Sequence, residues 1–202
     1  MASGSLLRRR SGVGQRRKRI ILYSAPLLAL ALLFTVYYVA TASSQAKVDF
    51  TIPIAIQVSQ LFQGNAYISN VLPVNVGVRG GIWAYHQYDS EGVNGHYPVF
   101  AQEGPKGNTS YALIHIRSTV DRTYTLQDFF NVWGYPLGPT NTLGYTVPPP
   151  SSDAKYTSDW YWDMCVQFNG GRIHEGIWGN QTLVPGEGIV LRYSNYGCLP
   201  IS

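Results

Sequence analysis

Charge is scarce in this chain and cysteine scarcer: 13% of its 202 residues are charged and two are cysteine. The charge that exists is also unevenly placed. Arg8, Arg9, Arg10, Arg16, Arg17, Lys18 and Arg19 are seven of the fifteen basic residues, which leaves eight Lys/Arg against eleven Asp/Glu past residue 20, a balance of −3. A nucleic-acid surface needs its positive charge on the folded domain, so that class of partner is excluded. Catalytic signatures are missing too. There is no GxSxG elbow and no glycine-rich phosphate loop. Ser118 and His115 fall on opposite faces of one expected strand, which prevents a local dyad. No HxH, HxxxH or CxxC spacing marks a metal site. The reading leans away from an enzyme.

The first fifty residues read as an address. Residues 20–40 form an uncharged run rich in leucine, and 21 residues at about 1.5 Å each cover roughly the 30 Å of a bilayer core. Tyr37 and Tyr38 near its far end suit the membrane interface, and the basic block before it keeps the N-terminus in the cytoplasm. The expected organisation is a basic cytoplasmic tail at 1–19, a transmembrane anchor at 20–41 in contact with membrane lipid, a stalk at 42–47 and an extracellular domain at 48–202. Ala40-Thr41-Ala42 resembles a signal cleavage site, but the apolar run exceeds the 7–15 residues of a signal core, which favours an uncleaved anchor. Export makes Cys165 and Cys198 an expected disulfide, worth up to about 4 kcal/mol in the chain-entropy model. It also makes Asn108 and Asn180, each in an Asn-x-Ser/Thr sequon, expected glycosylation sites.

Within the domain, Phe50, Ile52, Ile54, Ile56 and Val58 alternate as a half-buried strand, with Pro53 arguing for an edge or a bulge. Val74, Val76 and Val78 suggest a second short strand. Residues 84–110 and 138–158 show no period and read as long irregular segments, Pro148-Pro149-Pro150 among them. Ala112, Ile114 and Ile116 mark another strand. A helix follows: Thr125 as N-cap, Asp128 completing a capping box, Leu126, Phe129, Phe130 and Trp133 as one apolar stripe, and Gly134 with Pro136 as its stop. Trp160 to Phe168 alternate as the most apolar strand, Asn169-Gly170 and Pro185-Gly186 are turns, and Ile189, Leu191 and Tyr193 form the last strand. This order gives an α+β domain with a short helix laid on one face of a mixed sheet.

The segments Thr125-Leu126 with Phe129-Phe130, Val166-Gln167-Phe168-Asn169-Gly170, and Leu183 with Gly186-Glu187-Gly188-Ile189 resemble the β-grasp pattern of small sulfur-carrier proteins over about 111–193. The carriers' chemistry needs a free C-terminal Gly-Gly, and this chain ends Leu199-Pro200-Ile201-Ser202, so the resemblance implies the fold and not sulfur transfer. Ile114-His115-Ile116 through Trp133-Gly134 is similar to uncharacterised, mainly archaeal membrane-anchored extracellular proteins with an IHIxS…YTLxxFFxxWG segment. Arg117 stands where those commonly place Glu. That resemblance implies topology and location but no activity.

The function expected from these features is an extracellular binding or interaction module without catalysis. Trp83, Tyr85, Tyr88 and Tyr97 are its candidate contacts with an unknown extracellular ligand or protein, because aromatics with a polar handle supply contact area. No cofactor is required. The alternative is extracellular copper or zinc held by His86, His96 and His115 with Asp89. A further alternative is a filament subunit that donates the strand at 48–58 to a neighbour.

Overall fold

The computed structural model describes residues 26–38, 45–62, 65–102, 110–147, 159–195 and 197. The chain divides into two compact units, residues 1–44 and 45–202. In the first, residues 26–38 form helix α1, whose Leu28, Leu33 and Phe34 are exposed. Among the described residues no helix is long and apolar enough to cross a membrane. The rest of the expected anchor, 20–25 and 39–41, lies outside them.

The second unit is a mixed α+β fold. Its strands are β1 (Val48–Phe62), β2 (Asn65–Asn70), β3 (Val99–Phe100), β4 (Ala112–Ser118), β5 (Asn141–Thr142), β6 (Tyr145–Thr146), β7 (Tyr161–Phe168), β8 (Ile173–Glu175) and β9 (Glu187–Ser194), with helix α2 (Leu126–Trp133) between β4 and β5. One sheet runs β3-β4-β1-β9-β7-β8, with β2 added to β1, and β5 pairs with β6 separately. The chain's first and last strands meet at its centre: β1 runs parallel to β9 from Ile54↔Ile189 to Val58↔Tyr193 and antiparallel to β4 from Val48↔Ser118 to Ile54↔Ala112. All other pairings in this sheet are antiparallel.

The period-2 pattern places Ile52, Ile54 and Ile56 of β1, Ile114 and Ile116 of β4, Ile189 and Leu191 of β9 and Met164 of β7 in one core with the stripe of α2. Phe129 and Phe130 are fully buried there, each contributing about 1.5–3 kcal/mol of burial. A helix this short is held by the sheet rather than by its own propensity. Its ends are as the sequence predicts. Thr125 and Asp128 form the capping box, and Gly134 closes the helix in the left-handed region at φ 81°.

One expectation holds locally and two are corrected. The strand at 48–58 lies inside the sheet as a whole, yet Pro53 takes the edge position expected of it: among the described residues it pairs with Leu113 of β4 alone, and the β9 ladder begins one residue later, at Ile54. The alternation at Val74, Val76 and Val78 does not make a strand: Asn75 and Gly77 take positive φ, so only Val76 bridges, to Ala101 and Ile82. The irregular stretch at 138–158 contains the β5–β6 hairpin, turned by Leu143 and Gly144 at φ 55° and 86°. By contrast Asn169 and Gly170 both take positive φ between β7 and β8, as their sequence requires.

Candidate binding cleft

Of the four aromatics expected to contact a ligand, two are core. Tyr88 and Tyr97 are 8% and 0% exposed, with rings 6.2 Å apart. Trp83 and Tyr85 are half-buried. Trp83 packs edge-on against Tyr97 and donates its Nε1–H to Asp89 Oδ1 at 2.9 Å, and Tyr85 donates its hydroxyl to Gln87 Oε1. The segment at 84–102 is therefore fastened to the domain by its own side chains rather than left as a free binding loop.

The fastening is densest before the N-terminus of α2. Arg122 lies 3.9 Å over the Tyr88 ring, donates to Tyr88 Oη at 2.8 Å and pairs with Glu91 Oε1 at 3.2 Å. The Tyr124 hydroxyl lies 2.6 Å from Glu91 Oε2, to which it donates, and 2.7 Å from Ser118 Oγ. Thr119 N–H donates to the Glu91 carbonyl at 2.8 Å, tying the segment to the end of β4. Burial pushes the Tyr124 and Tyr97 phenols well above their ordinary range, so both stay protonated. Each polar group in the Tyr88–Glu91–Arg122–Tyr124 cluster has a partner, and a group so satisfied has little left to offer a ligand.

The four histidine-metal candidates do not gather. His86 Nδ1 lies 2.8 Å from Asp89 Oδ2, and its ring stacks on Trp83. His96 and His115 each pack on the ring of Phe100, at 4.6 and 5.0 Å between centroids. Burial lowers the His115 pKa, favouring the neutral ring. Among the described residues no group of three or more His, Cys, Asp or Glu could hold a metal ion. Asn180 is exposed at the end of a 3-10 turn. Asn108 lies outside the described residues. Cys165 is buried and is not a free thiol; Cys198, its expected partner, lies outside the described residues.

The other end of α2 is open. A cleft of about 400 Å³ is lined by Val74, Ile82, Trp133, Tyr135, Leu143 and Tyr145, above all by apolar and aromatic side chains and by no charged one. Its size falls within the usual range of small-molecule sites. Three segments converge to make it. The left-handed Gly134 turns the chain out of the helix and delivers Tyr135, 45% exposed, beside Trp133. Ala84 N–H donates to the Val132 carbonyl at 2.8 Å, and Ile82 N–H to the Asn75 carbonyl at 2.8 Å, which brings the loop carrying Ile82 against the helix end. A side chain at Gly81 would put Cβ 2.0 Å from that carbonyl oxygen, so the loop needs glycine there. The β5–β6 hairpin supplies Leu143 and Tyr145, and Leu143 N–H reaches the Pro136 carbonyl at 3.2 Å.

Tyr145 is well fixed. Trp162 donates its indole N–H to the Tyr145 carbonyl at 2.8 Å, and the Tyr145 ring packs 5.7 Å from Tyr193. Its hydroxyl accepts from Gln60 Nε2 at 3.3 Å, while Tyr67 donates to Gln60 Oε1 at 2.6 Å. The rim thus carries uncharged hydrogen-bonding groups beside an aromatic wall. The sequence assigns Trp133 to the core, where it is 5% exposed, and leaves Tyr135 and Tyr145 unremarked. Their signal is faint: each aromatic directly follows a glycine, Gly134 or Gly144, that turns the chain. Compared with family models, curated proteins and solved structures, the chain finds no match.

Proposed function

We propose that this chain is a single-pass membrane protein, N-terminus in the cytoplasm, that presents a non-catalytic binding domain outside the cell, and that the cleft at the C-terminal end of α2 is its binding site. The cleft carries the reading: it is the place among the described features where an exposed aromatic, Tyr135, an apolar wall and a rim of uncharged polar groups border one open volume. The location rests on the basic block and the 20–41 run of the sequence. The strand order β4-β1-β9-β7-β8, with β1 parallel to β9 and α2 on one face, supports a β-grasp reading of the domain and is compatible with the membrane-anchored extracellular family it resembles.

Two measurements test this. Protease added to intact cells expressing the full chain should remove the domain past residue 42 and spare the N-terminal tail; a protected domain overturns the topology. In a ligand-detected NMR fragment screen of the detergent-solubilised full chain, hits should be lost on Ile82→Trp, which fills the cleft from an exposed position. A screen with no hit that depends on Ile82 overturns the site. The alternatives have less support. The described residues offer no group for copper or zinc at His86, His96 and His115. Donating β1 to a neighbouring subunit would break the ladders it makes with β4 and β9.

A further inference from the structure

The cleft is lined by aromatic and apolar side chains and by no charged one, which gives it an electrostatic character of its own. Tyr135, 45% exposed, stands at 80° to Trp133 with ring centroids 5.3 Å apart; Trp133 is itself 5% exposed and packs on Phe129 and Phe130, and Tyr145 lines the same cleft. Aromatic faces carry the negative part of the ring quadrupole and attract cations; several such faces around one volume hold quaternary ammonium groups. Trp133 and Tyr135 also straddle the C-terminus of α2, the negative end of the helix dipole. Backbone amides reach the Phe130, Asn131 and Val132 carbonyls there, but no basic residue lies in the last turn. No lysine, arginine or histidine lines the cleft either. The excess of acid over base past residue 20 has the same sign.

Resting on the reading of this cleft as the binding site, we infer that it takes a small soluble organic cation, a quaternary ammonium compound whose methyl groups contact the exposed ring of Tyr135 and those parts of Trp133 and Tyr145 that line the cleft. The apolar wall suits the methyl groups, and the missing counter-charge is supplied by ring faces and the helix end rather than by a carboxylate. An uncharged hydroxyl or similar group on the ligand would meet the Gln60–Tyr145 rim.

The test compares choline with 3,3-dimethyl-1-butanol, its neutral carbon isostere, by calorimetry on the full chain in a maltoside detergent, which contains no ammonium group. The expected result is saturable choline binding about tenfold tighter than the isostere, the effect of about 1.4 kcal/mol of cation–π and dipole attraction. Tyr135→Ala should lose that preference and Tyr135→Phe should keep it. Ile82→Trp, from the other wall, should abolish binding of both ligands, with circular dichroism confirming that each variant is folded. Equal affinity for both ligands, both lost on Ile82→Trp, overturns the cation inference and leaves the binding cleft standing. No binding of either overturns the inference, while the fragment screen reports on the cleft separately. Binding of a trimethyl-lysine peptide but not of choline reassigns the cleft to a protein partner and overturns the small-solute proposal.

Discussion

The two ends of α2 are both surrounded by aromatic side chains, yet one is closed and the other open. Before the N-terminus, Tyr88, Tyr97 and Tyr124 are buried, and Arg122 with Glu91 occupies the polar handles of Tyr88 and Tyr124. Past the C-terminus, Tyr135 keeps nearly half its surface and faces a cleft that no charged side chain lines. Aromatic side chains gather at both ends; what differs is whether a nearby charged pair has claimed them. A tyrosine whose hydroxyl and ring face are both taken by its own chain is packing, and one whose ring borders an unfilled volume is available.

The two ends share the middle of the helix, so the largest effect should come from removing what holds both. Phe129→Ala at a fully buried position should cost about 3–5 kcal/mol, read by urea unfolding of the full chain. It should also loosen the closed and open ends together, seen as loss of protection at Glu91 and Ile82 in hydrogen exchange. Loss confined to one end would show that the ends are held independently of the helix.

This middle is also the part most legible in the sequence. The capping box, the apolar stripe and the glycine stop each rest on local rules, and Leu126–Trp133 forms as they require. The strands of β4, β7 and β9 are equally local in their alternation. What could not be read was long-range. Nothing in residues 48–58 states that β1 will be flanked by β4 and β9, more than fifty residues on. The cleft is harder still, because Ile82, Tyr135 and Tyr145 come from three segments whose meeting depends on Gly81, Gly134 and the Leu143-Gly144 turn. The expected contacts Tyr88 and Tyr97 failed for a related reason: sequence shows that tyrosines cluster, but not that Arg122 will arrive from past β4 to close over Tyr88 and pair with Glu91 beside it.

At the closed end, Tyr124→Phe keeps the ring and removes one hydroxyl. Glu91 Oε2 and Ser118 Oγ would each lose a partner, which should cost about 1–3 kcal/mol through the desolvation left behind. The Arg122–Glu91 pair is partly exposed and would not make good the loss. An unchanged unfolding midpoint would mean that the cluster is not the clamp its geometry suggests. At the helix exit, Gly134→Ala should be somewhat milder, about 1–2 kcal/mol, for an L-residue forced to φ 81°. Its new Cβ would also lie 3.0 Å from that of Ala84, crowding the contact that brings the Ile82 loop to the helix.

The smallest stability effect should come from the open end itself. Tyr135→Ala removes an exposed ring whose main intramolecular contact is the perpendicular one with Trp133, so the loss should be about 0.5–1 kcal/mol. The contrast with Tyr124→Phe is the point of the comparison. Deleting a whole side chain where the molecule is open should cost less than deleting one oxygen atom where it is closed. If Tyr135→Ala instead destabilised the domain as much as Tyr124→Phe, the ring would be part of the packing and the cleft would be an incompletely filled core. A small change in the unfolding midpoint, together with lost discrimination between choline and its neutral isostere, would place the Tyr135 ring where its exposure puts it, at the disposal of a ligand.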